Sequence, residues 1–364
     1  MGNTFAILPG QNNSLPPIGI GSHLDTQPKG GKYDGILGVI SGLEILATLH
    51  THKITPYAPL AVINWTNEEG ARFPPAMVAS GVWGGAFSLA YGHTREYLNA
   101  SGVTLKQELQ RIGYLGEVPC EAGANPLTAH FEVHIEQGPI LDRAEEAVGI
   151  VAGVQSMRWF TISLVGAEAH TGTTPMDARR DALLGAAHMI VKTNELSTTL
   201  EAMDKQTRMT IAVINSTPQS INTIAGTVEL KLDIRSPFDE DVEAATEACR
   251  SEFAKIADRL GLEFKLEQIW ESKAIKFDPT MVSCVKSAAG ELGCTRELTS
   301  GAGHDSVYTS RKCPTAMVFV RCKDGVSHNP KEYSRPEDCA AGAKTLLGAY
   351  LRYDDFVRRQ HEKQ

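Results

Sequence analysis

The sequence lacks several features that would assign it quickly. No apolar run approaches the ~18 residues that a membrane-crossing helix needs, so a membrane protein of that kind is not expected. The opening MGNTFAILPGQNN has neither the basic start nor the long apolar stretch of a secretory signal. Cysteine is sparse: seven residues, an odd number, irregularly spaced and without a C-x-x-C pair. That excludes a disulfide framework and a zinc–thiolate site, and points to reduced thiols in a cytoplasmic protein. A metal, if the chain holds one, must be held by histidine and carboxylate. Basic residues form no stripe with interleaved aromatics, and acids exceed bases for a net charge of -8, so nucleic acid is not an expected partner. Low-complexity tracts and short-period repeats are absent.

What remains is an ordinary globular composition, 42% hydrophobic over 364 residues. Single cores stop growing at roughly 250–300 residues, so two domains are expected. In the first half, strand-like and helix-like segments alternate. PIGIGSHLD (17–25), APLAVINWTN (58–67), HFEVHIEQG (130–138) and AVGIVAGV (147–154) read as strands, and residues 35–50 have apolar positions at helical spacing. Such alternation predicts a mixed, mostly parallel sheet with covering helices. From about Met157 the order becomes β-α-β-β-α-β: strands at 157–166, 208–216, 227–236 and 262–270, helices at 177–196 and 239–261. This is the split pattern of a ferredoxin-like α+β domain. Helices at 281–292 and 336–352 and a strand at 315–320 then resume the earlier style. The expected organisation is a discontinuous domain, residues 1–155 and 271–364, interrupted by an inserted domain at 156–270.

Chemistry-bearing residues collect at the expected carboxyl ends of the parallel strands, where α/β sheets build their sites. GSHLDTQPKGGKYDGILG (21–38) holds His23, Asp25 and Asp34. NEEG places Glu68 beside Glu69, HIEQG carries His134, and SHNPKE carries His328. Each has an ordinary explanation when taken alone: a satisfied loop histidine, a solvated strand end. Adjacent side chains of an extended segment point to opposite sides. One of the two glutamates can therefore face a cation while the other acts as a base. Three imidazoles with Asp34 and Glu69 make a nitrogen–oxygen donor set that suits zinc, and manganese or cobalt less exclusively. Five ligands, one of them bridging, is the arithmetic of a two-metal site. Asp34 is the natural bridge, and Asp25 is placed to orient His23 from behind. His93 and His130 belong to no such pattern.

In order along the chain, SHLDTQPKGGKYDGILGV, NEEGARF, HIEQGP, GAEAHTGTTPM, SINTIAGTVELKLDIR, SGAGHDS and DGVSHNPKEY resemble the motifs of the carbamoylase-type amidohydrolases. These are relatives of aminoacylase and of carboxypeptidase-like zinc metallopeptidases. The group includes N-carbamoyl-L-amino-acid hydrolase, β-ureidopropionase and allantoate amidohydrolase. The wording of HLDTQPKGGKYDGILGV and PILDRA leans toward fungal-type β-ureidopropionases.

The resemblance implies two Zn2+ per chain (Mn2+ or Co2+ possible). His23 and His134 would hold one ion, Glu69 and His328 the other, with Asp34 between them and Glu68 as general base. It implies that His170 meets the developing oxyanion, usually from a partner subunit, and that Arg235 clamps a substrate carboxylate. Asn222 and Gln137 would contact substrate through their amides, and Gly303 with His304 would form a substrate-side loop. The inserted domain would serve as lid and homodimer interface. Members of the group carry a leading helical segment ahead of the stretch that begins here at Gly2, so this segment is expected to be missing. The activity implied is hydrolysis of an N-carbamoyl amino acid. Rivals are allantoate hydrolysis or dipeptide and acyl-amino-acid cleavage at the same site, and a catalytically silent scaffold.

Overall fold

The computed structural model describes residues 1–203 and 205–363. The chain divides into two compact units, Met1–Gly153 with the segment from Lys276 onward, and Val154–Ile275.

The larger unit is built on β1 (Thr4–Leu8), β2 (Ile18–His23), α1 (Ile36–Thr51), β3 (Leu60–Trp65), β4 (Ala129–Ile135), β5 (Val148–Val154), α2 (Pro279–Gly290), β6 (Thr315–Val320) and α3 (Pro336–His361). Its sheet runs in the order β1-β3-β2-β4-β6-β5, with short strands at Ile275–Lys276 and Glu297–Ser300 also pairing with β5. β3, β2, β4 and β6 are parallel neighbours, while β1 and β5 run antiparallel at the flanks. A mixed, mainly parallel α/β sheet is what the alternation of segments predicts.

Parallel strands covered on both faces have no need of polar alternation, and TAMVFV of β6 is buried at every position. On one face, Ile20, Phe131, Val133 and Val318 join Ile45 of α1, Val285 of α2 and Leu346 of α3 in a single core. On the other, Ala61, Ile63 and Trp65 of β3 pack against Trp83 of the short helix Val78–Trp83. α3 runs to His361, well past the expected end at 352, because Tyr353, Phe356 and Val357 keep its apolar stripe against the core. β1 and the short helices between residues 78 and 111 carry too few periodic positions to stand out in sequence.

In the inserted unit, the four long strands form an antiparallel sheet in the order Arg208–Thr217, Thr227–Ser236, Ser156–Val165, Glu263–Ser272. Helices Ala182–Ala202 and Asp239–Leu260 bury Met189 and Phe253 against Ile162, Leu230 and Ile234. This is the ferredoxin-like arrangement of a split βαβ motif. The first helix begins at Ala182 rather than 177. Pro175 leads into a 3-10 turn at Met176–Ala178, and Asp181 caps the helix by accepting from the N–H groups of Leu183 and Leu184, both at 3.0 Å. Among the described residues no helix is long and apolar enough to cross a membrane, and all seven cysteines are free.

Candidate metal centre

Four chain segments meet at the carboxyl edge of the parallel strands. β2 ends at His23, β3 runs on into Glu68 and Glu69, His134 is the penultimate residue of β4, and the segment after β6 carries His328. Asp34 lies in the turn that enters α1. The turn depends on Gly35, whose φ is +68° and whose absent Cβ would lie 2.3 Å from the His23 ring. Only a residue without a side chain admits both that backbone and that approach.

Asp34 stands between two donor groups. Its Oδ1 is 3.1 Å from His134 Nε2 and 3.5 Å from His23 Nε2. Its Oδ2 is 3.3 Å from His328 Nε2, which in turn is 3.4 Å from Glu69 Oε2. Within each of the sets His23–Asp34–His134 and Asp34–Glu69–His328, one donor atom per residue lies within 4.8 Å of the others.

The donor chemistry fits a divalent cation. His23 Nδ1 lies 2.9 Å from the Asp25 carbonyl oxygen and His134 Nδ1 2.9 Å from the Ile135 carbonyl oxygen. A carbonyl only accepts, so both Nδ1 atoms carry the proton and both Nε2 lone pairs face the cluster. His134 Nε2 and Asp34 Oδ1 then meet as two acceptors, a contact that needs a proton or a cation between them. His23 Nε2 and Glu69 Oε1 are buried and have no hydrogen-bond partner among the described residues, as ligand atoms do before they bind an ion. Burial pushes the Asp34 carboxyl up, but hydrogen bonds and charge from His134, His328 and His23 outweigh it and hold Asp34 well below the usual carboxylate range. For His134, burial acts to lower the pKa, and Asp34 and Glu132 reverse it, raising it to about 9.

Glu68 lies beside this cluster with Oε2 3.5 Å from His23 Nε2. Burial first, then the carboxylates of Asp305 and Glu69, push its pKa well above the ordinary value. Asp25 fixes the glutamate pair: its Oδ1 accepts from the Glu68 N–H and its Oδ2 from the Glu69 N–H, each at 3.1 Å. Its carboxylate is 4.0 Å from His23 Nδ1, so the closer support of that ring comes from the Asp25 backbone.

Gln137 donates from Nε2 to Asp34 Oδ2 at 2.8 Å. His304 is 1% exposed and packs against His134, with ring centroids 4.5 Å apart and ring planes inclined at 59°. Gly303, before it, packs against Met77. In the inserted unit His170 and Asn222 are neighbours: His170 pairs with Thr223, and the Thr171 N–H donates to the Asn222 carbonyl at 3.1 Å. The Gly172 N–H donates to His170 Nδ1 at 3.0 Å, so Nδ1 accepts and Nε2 is the donor of this exposed ring. Arg235, on the strand Thr227–Ser236, makes contacts of 2.7 and 2.8 Å with the Asp233 carboxylate.

Four further side chains join the cluster. Gln27 donates to Glu69 Oε2 at 2.8 Å. Ser327 lies 3.1 Å from Asp34 Oδ2, and buried Glu332 accepts from the Asp34 N–H at 3.1 Å. Asp305 is fully buried, and burial followed by Glu132 raises its pKa. All four lie inside motifs quoted above, but nothing in their residue type or spacing tells them from ordinary loop polar residues. His130 sits in the core, where it accepts from Trp65 Nε1 at 3.2 Å.

Residues 19–352 match the model for peptidase family M20/M25/M40. An N-carbamoyl-L-amino-acid amidohydrolase of Rhizobium meliloti is 41% identical over 360 residues, covering 98% of this chain and 84% of that protein. An allantoate amidohydrolase of Bacillus subtilis is 31% identical, covering 95% of this chain and 83% of that protein. The crystal structure of an amidase of the hydantoinase/carbamoylase family from Burkholderia multivorans superimposes with a TM-score of 0.88 at 45% identity, covering 96% of this chain and 84% of that one.

Proposed function

From a chain that belongs to peptidase family M20/M25/M40, we propose a metal-dependent amidohydrolase that cleaves the carbamoyl C–N bond of an N-carbamoyl amino acid. The products are the amino acid, carbon dioxide and ammonia. The observation that carries the reading is Asp34, with one carboxylate oxygen turned to His23 and His134 and the other to His328 beside Glu69. In this reading the five residues hold two Zn2+, for which Mn2+ or Co2+ can substitute.

Divalent ions bound there would supply Lewis acidity to the carbamoyl carbonyl and lower the pKa of the attacking water. Glu68, buried and raised in pKa, accepts a proton from that water and delivers it to the leaving nitrogen. Asp25 keeps Glu68 and Glu69 in fixed register through their backbone N–H groups. His170, with its proton on Nε2, donates to the oxygen that gains negative charge, and in a homodimer it does so from the partner's inserted unit. Arg235, oriented by Asp233, takes the substrate carboxylate in a forked contact. Asn222 and Gln137 offer amides to the substrate, and Gly303 and His304 line its side. The inserted unit acts as lid and dimer interface.

A second reading, allantoate hydrolysis at the same site, is favoured by the 31% identical relative of that name. The test is ammonia release by the zinc- or manganese-loaded protein from N-carbamoyl-β-alanine, N-carbamoyl-L-α-amino acids and allantoate, with dipeptides assayed alongside for release of free amino acids. Release from a carbamoyl amino acid is expected. Turnover of allantoate alone selects the second reading, and no release from any substrate overturns both.

A further inference from the structure

We infer that Glu332 is a positioning residue that ties the turn carrying Asp34 to the segment carrying His328, and that it governs one metal equivalent far more than the other. The inference rests on the reading of the cluster as a two-ion centre and adds to it which residue sets the two sites apart.

Glu332 is 4% exposed. Its Oε1 accepts from the N–H groups of Tyr33 at 3.0 Å and Asp34 at 3.1 Å, across 298 residues of sequence in the latter case. Its Oε2 lies 3.1 Å from Ser327 Oγ, which is also 3.1 Å from Asp34 Oδ2. Glu332 therefore holds Asp34 by its backbone, and Ser327 Oγ lies between the two carboxylates. A hydroxyl has one proton to give, so Ser327 serves one carboxylate at a time. With a cation on Asp34 that proton would go to Glu332, leaving the backbone contacts as the tie to the turn that carries Asp34.

The remaining contacts place Glu332 by design of the chain. The Glu332 N–H donates to the Asn329 carbonyl at 2.9 Å, making a tight turn directly after His328. His328 itself has φ +54°, a left-handed conformation that a residue with a side chain adopts only when its surroundings hold it there. On the opposite side Gly31 leaves the room that Glu332 fills: a Cβ there would lie 2.2 Å from Glu332 Oε1.

The two donor groups differ in how much they need this support. The side chains of His23 and His134 are each 1% exposed, with Nδ1 anchored to a backbone carbonyl. The side chain of His328 is 49% exposed and sits in the segment that Glu332 anchors. Loosening the tether thus releases His328 and leaves the buried histidines in place.

Zinc titration of the full-length protein against a competing chelator, with Co2+ absorption as a second readout, tests the inference. Wild type is expected to bind two equivalents. In Glu332→Gln a single carbonyl oxygen must serve where two carboxylate oxygens did. One equivalent should weaken ten- to a hundredfold, the range for losing the group that orients a ligand, with the other changed less than about threefold. Ser327→Ala should weaken the same equivalent by a smaller factor, because the backbone contacts of Glu332 survive. Gly31→Ala displaces Glu332 without altering its chemistry and should reproduce the selective loss. These two variants carry the test if Glu332→Gln fails to fold by circular dichroism. Equal weakening of both equivalents, or of neither, overturns the role of Glu332. A wild-type protein that binds fewer than two equivalents overturns the two-ion reading itself.

Discussion

Replacing Gly35 with alanine should damage the protein at one place, by an amount that the geometry sets. Two effects add. The backbone at φ +68° and ψ −47° lies outside even the left-handed helical well, and costs a residue with a Cβ at least the ~1–2 kcal/mol of that well. The new methyl also lies 2.3 Å from the His23 ring, at a buried histidine whose Nδ1 is tied to the Asp25 carbonyl. The ring must move by about 1 Å to restore contact distance, and forced overpacking of this kind costs about 1–3 kcal/mol. Together these give about 2–5 kcal/mol, a fall in melting temperature of roughly 4–20 °C for a unit of this size. Gly113→Ala is the control, since Gly113 has φ +75° with nothing within 4 Å of its would-be Cβ. It incurs the backbone cost alone. Thermal unfolding of both variants, with zinc affinity measured in parallel, separates the effects. Only Gly35→Ala should lose affinity, because only it moves a ligand. A Gly35→Ala protein no less stable than Gly113→Ala, with zinc affinity unchanged, would refute the tight seating of His23 against this turn.

Glu68→Gln keeps the size of the side chain and removes its ability to carry a proton between water and leaving group. Turnover should fall about 10²–10⁴-fold, while bound metal, measured by elemental analysis, stays as in wild type; retained turnover would remove Glu68 from the chemistry. Burial lowers the His130 pKa to about 3, against about 6.5 in an unfolded chain. The unfolded state therefore takes up a proton that the folded state refuses. Stability from this residue is complete above pH 6.5 and is lost as pH falls toward 3, by about 2 kcal/mol between pH 6.5 and 5. Denaturant titrations of the chelated protein should show a shallower acid loss in His130→Gln, whose amide oxygen can still accept from Trp65. Parallel curves would show that His130 does not titrate in this way.

Much of this architecture is legible because the local signals agree with the global fold. The six residues of β6 form a uniformly apolar run, and the amphipathic series from Asp239 ends at Gly261, whose φ of +64° makes it a natural stop. Boundaries fail where a local cap overrides periodicity. Residues 177–181 read as the first turn of the helix, but the 3-10 turn after Pro175 and the Asp181 cap exclude them from it. β1 is unreadable because its five residues owe their strand conformation to β3, more than fifty residues away.

The site divides in the same way. His23, Asp34, Glu69, His134 and His328 stand out because strand ends are few and ligand residue types at them are fewer. Glu332, Ser327 and Gln27 are ordinary polar residues in loops, and their partners are chosen by how those loops fold back. Nothing in the linear chain reports that Glu332 lies against the backbone of Asp34. The glycines are the one trace of such packing. Gly31 and Gly35 are in plain view, but their reason appears only when Glu332 and the His23 ring are seen pressed against them.

The central claim is that Asp34 joins two cation sites made from five side chains. Metal content per chain after exhaustive dialysis against metal-free buffer, following loading with zinc, tests it most directly, with Asp34→Ala measured alongside. The account predicts two ions per chain for wild type and the loss of both tight sites in the variant. A wild-type ratio of one or below, or an Asp34→Ala protein that still holds two, would contradict it.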